Sequence, residues 1–265
     1  MLAVALAVGT LLATAACSDD GDDSASTDAS AGATSSAGQG TATASPTPTP
    51  LTSAGAQTAL ITAGDLEDNW TQVQTAASWR NQLLIGTVDA AQFLTGKTQA
   101  ADCQRLLDGL YDEDLLGPPP GPSALTGFTE GNSRLLYQVA AYQPASLDQS
   151  FDWLKSLPTA CDQFNAVGSD GSTRTVQVVE ASLPKSGDTR QGLTVTVAGP
   201  SGGTPVTLTI DVAVVRVGDD AITVTNGGTD GADHDSTETA VSQGTNRLKD
   251  VQEGRSPASE PSEFD

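Results

Sequence analysis

The feature that most constrains the fold is a run of alternating residues in the carboxyl-terminal half. Over residues 206–214, valine, leucine and isoleucine alternate with threonine, aspartate and alanine. A side-chain period of two is that of a β-strand, and the alternation indicates one buried face and one solvated face. Antiparallel sheets have such strands, whereas the strands of parallel sheets are apolar on both faces. The run therefore predicts an antiparallel sheet.

Shorter segments predict the neighbouring strands. Alternation recurs over residues 193–197, and a turn at Gly218 leads into a strand at 222–225. Further strands are expected near Val176 and Val178, at 125–130 and at 134–142, the last two joined by a turn at Gly131 and Asn132. Together these segments would form most of one sheet.

Threonines share the solvated face of two predicted strands. They are Thr194, Thr196, Thr207 and Thr209. Their hydroxyl groups could hydrogen-bond a ligand or partner. Threonine is also common on solvated strand faces because of its β-propensity alone, and that interpretation stays open. Glycan binding would need exposed aromatic rings, but Trp70, Trp79 and Trp153 are expected in the core.

Apolar spacings of three and four residues predict helices. One stripe consists of Cys103, Leu106, Leu107 and Leu110. Ser146 and Gln149 have capping-box spacing, which predicts a helix from Ser146 that Pro158 interrupts. A second short turn is expected to carry Cys161 and Phe164.

The last helix is predicted to begin near Asp235, with Glu238 at the capping-box offset. The fold class is therefore α+β, a twisted antiparallel β-sheet with helices packed on one face.

The amino terminus predicts export. Residues 2–16 form an uncharged apolar run that is too short to span a bilayer comfortably but is typical of a signal peptide. Cys17 directly follows Ala15 and Ala16, which resembles the lipobox of bacterial lipoproteins, where the thiol receives a diacylglycerol. We therefore predict a signal peptide over 1–16 and lipidation of Cys17. An ordinary secretory peptide with an incidental cysteine is the alternative.

The segment after Cys17 predicts a linker. Residues 18–57 are almost wholly Ser, Thr, Ala, Gly, Asp and Pro, a composition that buries too little apolar surface to fold. We predict a disordered linker over 17–57, one domain over 58–252 and a disordered tail over 253–265. The net charge of −21 argues against nucleic acid as a partner, because such a surface repels phosphate.

Lipidation of Cys17 would leave Cys103 and Cys161 as the remaining cysteines. Exported proteins meet an oxidising compartment, where such a pair forms a disulfide. The bridge would close a loop of about 60 residues and contribute roughly 4 kcal/mol through chain entropy. A reactive thiol would need a base, and the only histidine, His234, lies in another predicted element. We predict a structural disulfide.

The sequence has no phosphate-binding glycine loop and no H-E-x-x-H. Its one G-x-S-x-G spacing, at 199–203, lies between two predicted strands, so it does not form the strand-to-helix elbow that exposes a nucleophilic serine. His234 lies in an acidic segment, but a calcium loop would need glycine where Glu238 stands and glutamate where Gly244 stands. We interpret the segment as a solvated loop whose Asp235 caps the last helix. The sequence therefore predicts no enzyme, no metal site and no cofactor.

Residues 60–66 (LITAGDL), followed by Trp70, resemble the opening of the extracellular sensor domains of mycobacterial serine/threonine kinases of the PknH type. The helix with Cys103, the turn at 161–164 and the hairpin at 216–219 also fit, and free-standing actinobacterial lipoproteins carry related domains. The resemblance implies a twisted antiparallel sheet flanked by helices, with a groove and no established catalytic residues. Kinase-linked members generally hold two disulfides, whereas this chain can form one.

These features predict a lipoprotein anchored on the outer face of the cytoplasmic membrane. It would bind an unknown ligand or protein of the cell envelope without catalysis. The alternative is a carrier that holds a lipid or other apolar molecule between sheet and helices. An apolar cavity of roughly several hundred Å³ would favour the carrier, and a packed interior would argue against it.

Overall fold

The computed structural model describes residues 49–66, 69–86 and 88–258. The strands are β1 (Thr71–Val73), β2 (Leu84–Ile85), β3 (Val88–Asp89), β4 (Ser123–Glu130), β5 (Ser133–Ala141), β6 (Gln163–Val167), β7 (Thr173–Ala181), β8 (Thr189–Ser201), β9 (Thr204–Val217) and β10 (Asp220–Gly228). The helices are α1 (Ser53–Thr58), α2 (Trp79–Gln82), α3 (Ala90–Leu94), α4 (Ala101–Gly109), α5 (Pro144–Ala160) and α6 (His234–Gln252), with short 3₁₀-helices at Ala63–Leu66 and Ala76–Ser78. The predicted signal peptide, Cys17, most of the linker and the tail from residue 259 lie outside the described residues.

Eight strands form one antiparallel sheet in the order β1-β4-β5-β10-β9-β8-β7-β6, while β2 and β3 pair separately. This confirms the α+β fold class. The alternating run lies in β9, which pairs with β10 across a tight turn where Gly218 has a φ of 63°. Glycine adopts this left-handed conformation at little cost, so the turn forms where the sequence predicts it.

Apolar side chains cover both faces at the centre of the sheet, which corrects the prediction that helices pack on one face only. In β9, Ile210 and Val212 belong to one core cluster, whereas Ala213 and Val215 belong to another. Successive side chains of a strand point to opposite faces, so the clusters lie on opposite sides of the sheet. The predicted alternation of polar and apolar residues therefore holds only in the first part of β9.

Helices α2 to α5 pack on the first side of the sheet, around buried residues such as Leu106 of α4 and Leu154 of α5. Cys103 of α4 and Cys161, the residue that ends α5, form the predicted disulfide, with their Cα atoms 5.7 Å apart. Phe164, predicted on a helical turn with Cys161, lies in β6 instead.

Helix α5 differs from its prediction at both ends. It begins at Pro144 rather than Ser146, because proline suits the first helical turn, where its missing N–H has no intrahelical partner to lose. It also continues through Pro158, which lies in the last turn. Leu154 and Leu157 are fully buried on the same helix, and their packing offsets the hydrogen bond that the proline removes.

Helix α6 packs on the second side of the sheet, against β9 and β10. Val241 and Leu248 of this helix are fully buried. Gly244 allows a close approach to the sheet, because a Cβ atom there would lie 2.2 Å from the hydroxyl oxygen of Tyr137.

The folded region begins earlier than residue 58. Helix α1 lies within the segment predicted as linker, and it packs against β4 and α6. Leu51 and Ala56 are buried there, so these few apolar residues suffice to attach the segment to the domain. In the part of the chain that the structure describes, no helix is long and apolar enough to cross a membrane.

Candidate functional site

The second side of the sheet carries a surface that α6 leaves exposed. Helix α6 contacts β9 and β10, whereas side chains of β7, β8 and the first part of β9 on the same side are partly or fully exposed. We call this surface the open face. It comprises Gln177, Val179, Thr194, Thr196, Thr207 and Thr209.

Strand register brings the polar groups of the open face together. Thr196 of β8 lies opposite Thr209 of β9, and Thr194 lies opposite Asp211. Residues that are directly opposite in an antiparallel pair have Cβ atoms about 4.5–5.5 Å apart. The threonines predicted on a solvated face therefore form a compact patch of hydroxyl groups, together with Val179, which is 44% exposed.

Asp211 lies where the open face meets α6, and only 4% of its side chain is exposed. The hydroxyl of Thr194 donates to Oδ1 of Asp211 at 2.7 Å. The second carboxylate oxygen, Oδ2, lies 2.7 Å from Nδ1 of His234. Both oxygens of the buried carboxylate thus have hydrogen-bond partners, which offsets the cost of removing the charge from water.

Asn226 of β10 positions the beginning of α6 over the sheet. Its side chain is fully buried and donates to the carbonyl oxygen of Asp233 at 2.8 Å and to the hydroxyl of Thr237 at 3.0 Å. Because Asn226 lies opposite Asp211 in the neighbouring strand, these bonds bring His234 directly above the Asp211 carboxylate.

The structure corrects the predicted start of α6. Asp233 caps the helix by accepting from the N–H groups of Asp235 and Ser236, so the helix begins at His234 and Asp235 is not the cap. An N-cap side chain reaches the N–H groups two or three residues further on, which Asp233 satisfies. His234 therefore lies in the first helical turn against Asp211, not in a solvated loop.

The hydrogen bond that the imidazole donates to the Asp211 carboxylate raises the pKa of His234 above its usual value of 6.5. Partial burial opposes this effect, while the carboxylates of Glu238 and Asp235 add to it. Nε2 of His234 lies 3.5 Å from Glu238, and 38% of the histidine side chain is exposed. A protonated His234 would therefore bridge two carboxylates at the border of the open face.

The geometry of this network differs from that of an activated nucleophile. A catalytic hydroxyl would donate its proton to the imidazole, whereas the Thr194 hydroxyl donates to Asp211. Among the described residues, no group of three His, Cys, Asp or Glu side chains could hold a metal ion. The groups of this network that a ligand can reach are the Glu238 carboxylate and the His234 imidazole, whose side chains are both partly exposed.

A depression of about 420 Å³ continues the open face where β7 ends and β8 begins. Arg190 lines it on the side of the open face, opposite Val215, and adds a positive charge there. Glu180 also lines it, but this residue lies opposite Leu193, so its side chain is directed to the first side of the sheet. The depression is open to solvent and would extend the contact area of a ligand on the open face.

The carrier alternative receives no support from the pockets of the surface. Five pockets among the described residues have volumes from about 420 to about 590 Å³, and each of these opens to solvent rather than being enclosed by sheet and helices. Leu106, Leu107 and Leu157 fill the space between the sheet and the helices of the first side and are fully buried.

The tryptophans singled out in the sequence belong to the core and not to the site. Trp70, Trp79 and Trp153 are buried in the core, as expected from the sequence. Cys17 lies outside the described residues. Sequence reasoning missed Asp211 as the partner of His234.

Comparisons with known proteins give a distant structural relationship. No family model and no curated protein matches the chain. The crystal structure of the extracellular domain of PknH from Mycobacterium tuberculosis is similar to it, with 11% sequence identity and a TM-score of 0.38, over 79% of this chain and 100% of that domain. A similarity at this level is too low to carry an argument about function.

Proposed function

We propose that this chain is a lipid-anchored, extracytoplasmic protein whose domain binds a polar ligand or partner on the open face without catalysis. The observation that carries the proposal is the compact patch of threonine hydroxyls that α6 leaves exposed, next to the buried pair of Asp211 and His234. A solvated strand face alone would not require a buried carboxylate held on both oxygens at its border.

The anchor in this proposal is Cys17. The apolar run at 2–16 and the small residues before the cysteine support lipidation, and the linker would separate the anchor from the domain. Lipidation would hold the domain at the outer face of the cytoplasmic membrane, where a ligand or protein of the cell envelope is the available partner.

The chemistry of the open face indicates what the ligand carries. Hydroxyl groups both donate and accept hydrogen bonds, so hydroxyl or amide groups of a ligand would pair with Thr196 and Thr209. Glu238 and Asp235 stand at the border, and they favour a ligand with a positive charge. The buried tryptophans provide no aromatic platform for stacking against a sugar ring.

Native mass spectrometry of the full-length chain, isolated from its own membranes in mild detergent, tests this proposal. We expect the wild-type protein to retain an additional mass that Thr196→Trp abolishes, because the indole would fill the open face. Thr95→Trp is the matched control, since Thr95 is exposed and follows α3 on the other side of the sheet. Absence of any bound mass, or its retention by Thr196→Trp, would contradict the proposal.

A further inference from the structure

We infer that the outer edge of β4 is a second docking site, which takes an extended, basic peptide segment as an additional strand. This edge lies toward the opposite end of the sheet from β7 and β8. The inference goes beyond the proposed function and does not depend on it.

The first half of β4 has a strand on one side only. β1 pairs Thr71 and Val73 with Thr129 and Gly127, which covers the second half of β4. The chain then leaves the sheet and forms the 3₁₀-helix Ala76–Ser78. Residues 123–126 are therefore paired with β5, and no strand of the described residues lies beside them at the sheet edge.

The backbone groups at this edge point toward solvent. The N–H of Ala141 in β5 donates to the carbonyl oxygen of Pro122, just before β4. This bond shows which residues of β4 direct their backbone groups toward β5. Alternate residues of a strand direct their N–H and C=O groups to opposite neighbours. Ala124 therefore bonds to β5, while Ser123 and Leu125 direct theirs outward, where no described residue bonds to them.

These outward groups lie in a groove of about 450 Å³. Its walls include Gln57, Leu60, Ala76 and Ala77. At one end, Gln72 donates from Nε2 to the hydroxyl of Thr126 at 2.8 Å, where β1 begins to cover β4. The open stretch at 123–126 has the length of four strand residues, roughly 13 Å.

The groove fits an extended polypeptide better than a helix or a small ligand. A strand placed about 4.8 Å from β4 would present its own N–H and C=O groups to Ser123 and Leu125, as in peptide recognition by strand addition. Among the described residues that line the groove, Glu113 is the one with a charge. It favours a basic partner, while the net charge of −21 disfavours a second copy of this chain.

A library of random nine-residue peptides displayed on phage, selected on the immobilised full-length chain, tests the inference. We expect basic, β-prone sequences to be enriched. Amide hydrogen exchange should then slow at Ser123 and Leu125 when a selected peptide is bound. Protection at the other sheet edge, in β6, or on the open face instead would overturn the inference.

Leu125→Pro tests the backbone contact directly. Proline removes the outward N–H while leaving the bonds of Ala124 to β5, and edge strands tolerate proline when the N–H faces solvent. We expect peptide affinity to fall at least about fivefold, the effect of losing one net hydrogen bond. Asn165→Pro is the matched control, because register places that N–H outward on the opposite edge of the sheet.

A second pair of variants keeps the test decisive if Leu125→Pro does not fold. Ala77→Trp would fill the groove from its exposed wall, whereas Ser78→Trp places the same ring on the neighbouring exposed residue, outside the lining. Loss of peptide binding in the first variant alone supports the inference. No enrichment of peptides, equal binding by both variants, or dimerisation of the chain as the only effect would overturn it.

Discussion

The buried carboxylate of Asp211 lies 2.7 Å from the imidazole of His234, measured between Oδ2 and Nδ1. This contact joins the strand with the longest alternating run to the first turn of α6. It lies where the open face meets the helix, at the position that the Asp233 cap and the bonds of Asn226 give to the first turn.

The stability of the domain should depend on the protonation of His234. Because the pKa of His234 is raised in the folded state, its stabilising effect is fully present below the unfolded value of about 6.5 and is lost as the pH rises through the folded pKa. Urea unfolding across this pH range should therefore show a falling free energy of unfolding. His234→Gln should remove this dependence of the free energy of unfolding on pH. An unchanged dependence in the variant would show that other groups cause it.

Removal of the Asp211 side chain should destabilise the fold more than removal of one partner. Asp211→Ala leaves the Thr194 hydroxyl and His234 without their acceptor, so we expect a loss of about 1–3 kcal/mol in the free energy of unfolding. Thr194→Val, which keeps the bond to His234, should lose about 1 kcal/mol. NMR titration should also show a lower pKa of His234 in Asp211→Asn. An unaltered pKa would contradict the assignment of the raised pKa to the Asp211 carboxylate.

The disulfide should stabilise the domain through its long loop. Cys103 and Cys161 are 58 residues apart and both buried, so replacement of both by serine should lower the free energy of unfolding by about 4 kcal/mol. Chemical denaturation with and without reductant measures the contribution of the disulfide to the free energy of unfolding. The reductant should destabilise the wild-type protein and leave the double variant unchanged, whereas equal effects on both would argue against the bridge.

Lipidation should be visible in the mass of the mature chain. We expect a protein that begins at Cys17, carries acyl chains on that residue and has no free thiol. Cys17→Ser should lose the added mass and leave the membrane fraction. A mature wild-type chain without acyl mass would contradict the anchor, and a free thiol would contradict the pairing of Cys103 with Cys161.

The strands of the sheet could be predicted because their signals are local. Alternation over 206–214 and the turn residues Gly131 and Gly218 each depend on a few neighbouring side chains, and β9, β4–β5 and β9–β10 form where expected. Helix ends were predicted less well. The packing of Leu154 and Leu157 carries α5 through Pro158, and sequence spacing does not report that packing.

The site could be predicted only in part. The threonines were recognisable from alternation, but the pairing of Asp211 with His234 joins residues 23 positions apart through the placement of α6. One signal was available in the sequence: Ala213, Val215 and Val217 are apolar on the same side as Thr207 and Thr209. That change within one strand face indicates that a helix covers one part and leaves the other open.

Amide hydrogen exchange tests the central claim, binding on the open face, most directly. The full-length protein isolated with its bound molecule should be compared with the same protein after the molecule has been removed by unfolding and refolding. Slower exchange in the loaded protein at Thr194, Thr196 and Thr209 is the result that the account predicts. Identical exchange on these strands, with or without changes elsewhere in the domain, would contradict it.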